Sequence, residues 1–242
     1  MGLMAQSATM IKISLFIGQI RPLAESGRPT GIYKEAAHGR LELGLAGFVG
    51  DEQADKRVHG GPEKAVHLYP ARHYARLAAQ FPEVAETFVP GCLGENISTD
   101  AMDESNVRLG DIYQLGSARL QVCQPRNPCW KIDSRVACDG VAAFIAEHAI
   151  TGWYWRVVQP GSVTSDDELV LVESLDGPTL ADAMQLCQAH RPDPEKLDKL
   201  AATPGIAAEW QKKIQARANW LRSNTPAAQT QATAFHVKPE AS

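Results

Sequence analysis

Nowhere in this sequence do two cysteines stand at C-x-x-C spacing, and no H-E-x-x-H occurs. These absences exclude a zinc finger, a thioredoxin-like dithiol and a zincin-type metalloprotease. The cysteines number five, an odd count that suits free thiols in a reducing compartment better than a disulfide scaffold. No G-x-G-x-x-G follows a candidate strand, so nothing supports a dinucleotide-binding fold. Apolar runs fall far short of a membrane span. The opening MGLMAQSATM lacks the cationic, apolar and small-residue succession of a secretion signal, and Gln6 stands where myristoylation needs Ser or Thr. A cytoplasmic protein without membrane association is expected. Charge of either sign is also modest. A net charge of -4 and a pI near 6.0 argue against nucleic acid as a partner.

What is present is a β-rich body of ordinary globular composition, 44% hydrophobic and 21% charged. IKISLFIG (11–18), KAVHLYP (64–70) and VRLGDIYQLGSARLQVCQP (107–125) read as strands, the last with Ala118, Leu120 and Val122 on one face. GWYWRVVQPGSVTSDDELVLV (152–172) predicts two more strands around a Gln-Pro-Gly-Ser turn. Helical spacing interrupts this body twice, at Tyr74, Leu77, Ala78 and Phe81, and at Val141, Phe144 and Ile145. Many short strands with few helices favour a closed or partly closed barrel, in a mainly β protein of the α+β class.

Past Ser174 the pattern changes. Residues 179–189, 194–203 and 206–223 form three helical patterns split by prolines. Leu180, Ala183, Met184 and Cys187 make one apolar stripe; Ile206, Trp210, Ile214 and Leu221 make another. The expected division is a barrel domain over 1–175, a small three-helix unit over 176–223, and a tail over 224–242 whose Ala, Thr, Gln and Pro composition predicts disorder. The helical unit could imitate a DNA-binding helix-turn-helix. Eight Lys/Arg against six Asp/Glu after residue 176 give it no basic face, which disfavours that alternative.

Chemistry concentrates in QPRNPCWK (124–131). Pro125 and Pro128 stiffen the loop around Cys129, while Arg126 and Lys131 supply positive charge. Nearby cations favour a thiolate, which is both nucleophile and metal ligand. A second constellation is GDEQADKRVHGGPEKAVH (50–67). There Gly60 and Gly61 let the backbone approach a ligand, and Arg57, His59 and Lys64 add charge for an anion. His67 lies on the following strand, where it is either a site residue or a core histidine. A third is LGENIST (93–99), in which Glu95 and Asn96 could orient a polar ligand or simply form a turn before a strand. Cys138 and Cys187 fall on helical apolar positions, Cys92 is uninformative, and Cys123 reads as a strand residue near the site.

Taken in order, GDEQADKRVHGGPEKAVHLYP (50–70), GENISTDAMDESNVRLGDIYQLG (94–116) and QVCQPRNPCWKI (121–132) resemble the MOSC domain, a molybdenum-cofactor-binding module. The likeness is closest to its YiiM type, whose C-terminal three-helix unit also matches, and it covers roughly residues 10–222. The resemblance implies a MOSC-type β-barrel and a pterin-bound molybdenum, with Cys129 as the protein's metal ligand and His59, Gly60 and Gly61 at the cofactor pocket. It further implies reduction of N-hydroxylated bases such as 6-N-hydroxylaminopurine to the amine, a detoxifying reaction. His59 or His67 would supply protons, because histidine titrates near neutrality. No flavin, haem or iron–sulfur motif is present, so a separate NAD(P)H-dependent flavoprotein reductase is expected as electron donor. A homodimer is an open alternative. A different reading stays open beside the enzyme: a carrier of cofactor or sulfur, with Cys129 as a persulfide.

Overall fold

A computed structural model describes residues 11–24, 26–55 and 60–224. The first half of the chain forms β1 (Ser14–Ile17), β2 (Arg21–Pro22), β3 (Pro29–Thr30), β4 (Glu35–Ala36), β5 (Leu41–Gly44), β6 (Gly47–Phe48), β7 (Val66–Pro70) and β8 (Ile97–Thr99). The second half adds β9 (Ile112–Leu115), β10 (Ala118–Pro125), β11 (Trp153–Gln159), β12 (Gly161–Val163) and β13 (Leu169–Glu173). One eight-stranded sheet runs β13-β9-β10-β11-β7-β8-β1-β4. All neighbours pair antiparallel except β7 and β8. Ile11 and Leu169 exchange backbone bonds of 3.3 and 3.0 Å, so the lead-in to β1 meets β13 and the sheet curls back on itself. The expected β-barrel with helices is the architecture found. Residues 152–172 hold three strands instead of two. Pro160 ends β11, and Gly161–Val163 then leave the main sheet to pair with β5.

The helices are α1 (Arg72–Gln80), α2 (Lys131–Val136), α3 (Val141–Glu147), α4 (Leu180–Gln188), α5 (Pro194–Ala201) and α6 (Ala208–Ser223). Thr179 caps α4 by accepting from the Asp182 amide, and Asp193 caps α5 by accepting from Glu195, with Pro194 at the first helical position. Helix α2 has no counterpart among the periodic segments of the sequence. Six residues make fewer than two turns, too short to show a period, although Ile132 and Val136 are buried at helical spacing.

Two large cores result. One joins the sheet interior, including Trp153, Trp155, Val66 and Leu68, to Leu180, Met184, Leu197 and Ile214 of the C-terminal helices. The other packs α1, α2 and α3 through Leu77, Ile132, Val141 and Ile145 against Tyr69 on the opposite face of β7. A third, small cluster of Cys123, Tyr154 and Ala207 lies against Trp210 of α6. Strands β7, β10 and β11 are therefore buried on both faces over much of their length. His67 and Tyr154, which alternate with core residues, point away from the sheet interior into the space between the cores. That space is where the candidate site lies.

Candidate functional site at Cys129

The loop carrying Cys129 is aimed by a β-bulge. Along β10 and β11, Val122 faces Trp155 and Gln124 faces Tyr154, which leaves Cys123 as the extra residue. Such a bulge bends its strand and turns the residues beyond it in a new direction. The chain then leaves the sheet at Pro125, passes Arg126 to Trp130, and enters α2 at Lys131. The Arg126 amide donates to the Gly152 carbonyl at 3.0 Å, and the Ile132 amide donates to the Cys129 carbonyl at 2.9 Å, so both ends of the loop are held. Trp130 is 46% exposed beneath the Arg28 guanidinium, which sits 5.6 Å from its ring centre.

Cys129 lines two cavities at once. The smaller, about 80 Å³, is walled by Lys34, Lys64, His67, Asn96, Arg126 and Lys131, and also by the carboxylates Asp51, Glu52 and Asp55. The larger, about 610 Å³, opens between the loop and the C-terminal helices, with Tyr154, Met184, Trp210, Ile214 and Arg217 on its wall. Lys64, Arg126 and Tyr154 border both. The larger volume is that of a small-molecule site; the smaller suits a phosphate-sized group.

The small cavity rests on a buried polar network. Asn96 accepts the His67 amide on its side-chain oxygen at 3.1 Å and donates to the Phe16 carbonyl at 3.2 Å and to Asp51 at 3.0 Å. Asp51 also accepts the Gly18 amide at 2.8 Å and pairs with Lys34. The Lys34 and Asp51 side chains are only 5% and 3% exposed. A buried pair persists only when its other bonding capacity is met, as it is for Asp51. Lys64 pairs with Glu209 at 2.9 Å. Among the described residues, no carboxylate forms a salt bridge with Arg126 or Lys131. Lys131 donates to the Pro29 carbonyl at 3.1 Å, and Arg126 is itself buried, sharing the walls of both cavities with Tyr154. The two cations that flank Cys129 in the sequence are thus available to an anion.

His67 is 4% exposed, and its Nε2 has no hydrogen-bond partner among the described residues. Burial, reinforced by the Arg126 charge, holds its pKa well below the ordinary histidine value. His67 was expected to donate protons because histidine titrates near neutrality; its burial favours the neutral ring, which offers a hydrogen bond without charge. Glu95, expected to orient a ligand, lines neither of these two cavities. It points opposite to Asn96, is fully buried, and bonds the Tyr74 hydroxyl and the Gly91 amide instead of lining a cavity. Its pKa is raised, chiefly by burial. Gly61 adopts φ 91°, which a side chain resists, and starts the 3-10 turn Pro62–Lys64. Gly60 precedes it. Arg57 and His59 lie outside the described residues, as does the tail from 225 onward.

The other cysteines separate from Cys129 physically. Burial pushes the Cys92 and Cys123 thiols up to about 12, so both stay protonated at neutral pH. Cys187, raised by burial, borders only the larger cavity. Cys138 bonds Glu83, away from both cavities. Lys34, Asp51, Tyr154 and Trp210 line the cavities at Cys129, and sequence reasoning did not single them out as site residues. Asp51 falls inside the 50–67 constellation, but its partner Lys34 has no local signal.

Among the described residues, no helix is long and apolar enough to cross a membrane. The MOSC-domain family model matches residues 55–170. Protein YiiM of Escherichia coli is 38% identical over 206 residues, covering 85% of this chain and 91% of its own. Its crystal structure superposes with a TM-score of 0.75 at 30% identity, covering 88% of this chain and 94% of that one. A protein of Gibberella moniliformis named "Reductase" is 36% identical over 158 residues, 64% of this chain but 28% of its own length. With a common fold and common sequence along most of its length, this chain belongs to the MOSC-domain family and is of the YiiM type.

Proposed function

We propose that this protein is a molybdenum-cofactor-dependent reductase that converts N-hydroxylated bases, such as 6-N-hydroxylaminopurine, to the amine. The observation carrying this reading is the position of Cys129, one thiol shared between a small pocket that carries Arg126 and Lys131 and a substrate-sized cavity. When bound, the cofactor supplies the two-electron exchange that accepts the oxygen of an N–OH group. The donor set fits such a group. Cys129 is a soft ligand of the kind a sulfur-rich redox metal takes. Arg126 and Lys131, with Lys34 and Lys64 nearby, suit the pterin's phosphate. The orphaned Nε2 of His67 offers one hydrogen bond to a polar group of the pterin.

In the larger cavity the flat faces of Tyr154 and Trp210 suit a planar heterocycle, and Arg217 suits its polar edge. Each turnover consumes two electrons and two protons and releases the amine and water. The electrons come from a separate NAD(P)H-dependent flavoprotein. The name of the Gibberella relative supports a reductase.

The test is turnover per bound molybdenum with a chemical reductant and 6-N-hydroxylaminopurine, the amine being followed by chromatography. Cys129→Ser replaces the soft donor with a hydroxyl that stays protonated. Its rate should fall at least ~100-fold, beyond what loss of an outer-sphere contact causes. Cys123→Ser keeps a donor to the same carbonyls and should retain most activity. Wild-type turnover by Cys129→Ser would show the reading to be wrong.

A further inference from the structure

Four segments distant in sequence meet in one joint beside the cavities. The bulge leaves the Cys123 carbonyl free of the ladder, and it accepts the Ala207 amide at 2.9 Å. The Cys123 thiol donates to the Glu63 carbonyl at 3.0 Å. The Glu63 side chain completes the joint: one oxygen accepts from Arg156 of β11 at 2.6 Å, and both lie 3.0–3.1 Å from the Ala208 amide. Ala207 is the N-cap residue of α6 and has no side-chain cap to give. The first turn of α6 is therefore capped by a carboxylate from the turn that begins at Gly61. One residue on, Lys64 reaches Glu209 in that same first turn, and Glu209 is held near a pKa of about 2 by Lys213 and Lys64. Trp210 and Ile214, further along α6, line the larger cavity.

We propose that Glu63 is a positioning residue that locks the Gly61–Lys64 turn to α6, so that the anion-binding side and the helical wall of the site are set as one unit. A cap supplied within α6 would stabilise the helix equally well and tell the turn nothing. Supplied from Glu63, it makes any displacement of α6 a displacement of Lys64, which borders both cavities. The inference rests on the proposed function only in giving Lys64 an anion to hold; the mechanical coupling stands without it.

Hydrogen exchange on the full-length protein without added ligand tests the coupling. In Glu63→Ala, amides of Lys64–Val66 and of Ala208–Lys212 should both exchange faster, by a similar factor of about five to ten. The control Thr179→Ala removes the cap of α4. It should speed exchange at the start of α4 and leave Lys64–Val66 unchanged. If Glu63→Ala does not fold, Glu63→Gln gives the same reading with a smaller factor. Faster exchange confined to α6, or none in either segment, overturns the proposal. Inorganic phosphate affinity is the second readout, expected to fall about fivefold in Glu63→Ala and to be unchanged in Thr179→Ala. If the wild-type protein itself binds no phosphate, the anion reading of the site fails while the exchange result still decides the coupling.

Discussion

The two cavities that meet at Cys129 are built in opposite ways. The small one is walled by groups that hold one another. Lys34, Asp51, Asn96 and the His67 backbone form a closed set of bonds, buried and fixed before any ligand arrives. The large one is walled by side chains from the 124–130 loop and from α4, α5 and α6, which converge through packing and the joint at Glu63. Preorganised charge suits a tightly kept anion, since reorganisation costs nothing at binding. A wall of Met184, Trp210 and Ile214 suits a ligand that must enter, be held flat and leave. Under the proposed function, the small cavity would retain its ligand and the large one would exchange its own.

The sharpest way to break that contrast is Lys34→Met. Removing one partner leaves Asp51 charged and buried, at a cost of about 3–5 kcal/mol in unfolding free energy. Denaturant unfolding should show that loss, and molybdenum content should fall with it. A variant as stable and as loaded as the wild type would mean the network supports nothing.

Trp210→Ala addresses the other wall. The substrate KM should rise about tenfold, some 1.4 kcal/mol of binding, while molybdenum per protein stays unchanged. Loss of molybdenum with no change in KM would reverse the assignment of the two cavities.

The smallest effect is a pH dependence. His67 has a folded-state pKa far below its unfolded value of 6.5, so the unfolded chain binds the extra proton. Its neutral form stabilises the fold fully above 6.5, and this contribution is lost as pH falls below it, at no more than ~1.4 kcal/mol per pH unit. Glu95 acts oppositely. Its raised pKa favours the fold below the ordinary carboxylate range and loses that advantage as pH rises. The His67 contribution is therefore read as wild type minus His67→Gln, in unfolding free energy between pH 7 and pH 6. That difference should shrink with acidity; a constant difference would mean that the ring titrates in the fold as it does in the unfolded chain, and a growing one that it is protonated in the fold.

Much of this was legible locally. Alternation of apolar residues marks β7 and β10, and the stripes of 179–223 mark three helices, because each face meets one environment over several residues. Cys129, Arg126 and Lys131 stand in one short stretch of sequence, and all three border the small cavity. The misses share a cause. Glu95 and Asn96 are adjacent, so they face opposite ways, and only the assembled sheet shows which one meets the cavity. Lys34 reaches the site from a distant connection, and Tyr154 and Trp210 face it only once the bulge and α6 have packed together. The three-helix pattern likewise predicted a unit with its own stripes; that those stripes share a core with the sheet is a property of the assembly.

The central claim is that Cys129 is the sulfur this protein gives to a bound metal. X-ray absorption at the molybdenum edge counts sulfur ligands directly, in wild type and in Cys129→Ser loaded with cofactor. The expected result is stoichiometric molybdenum in the wild type and one fewer sulfur neighbour in the variant. An unchanged sulfur count in Cys129→Ser, or wild-type protein that takes up no molybdenum, would contradict it.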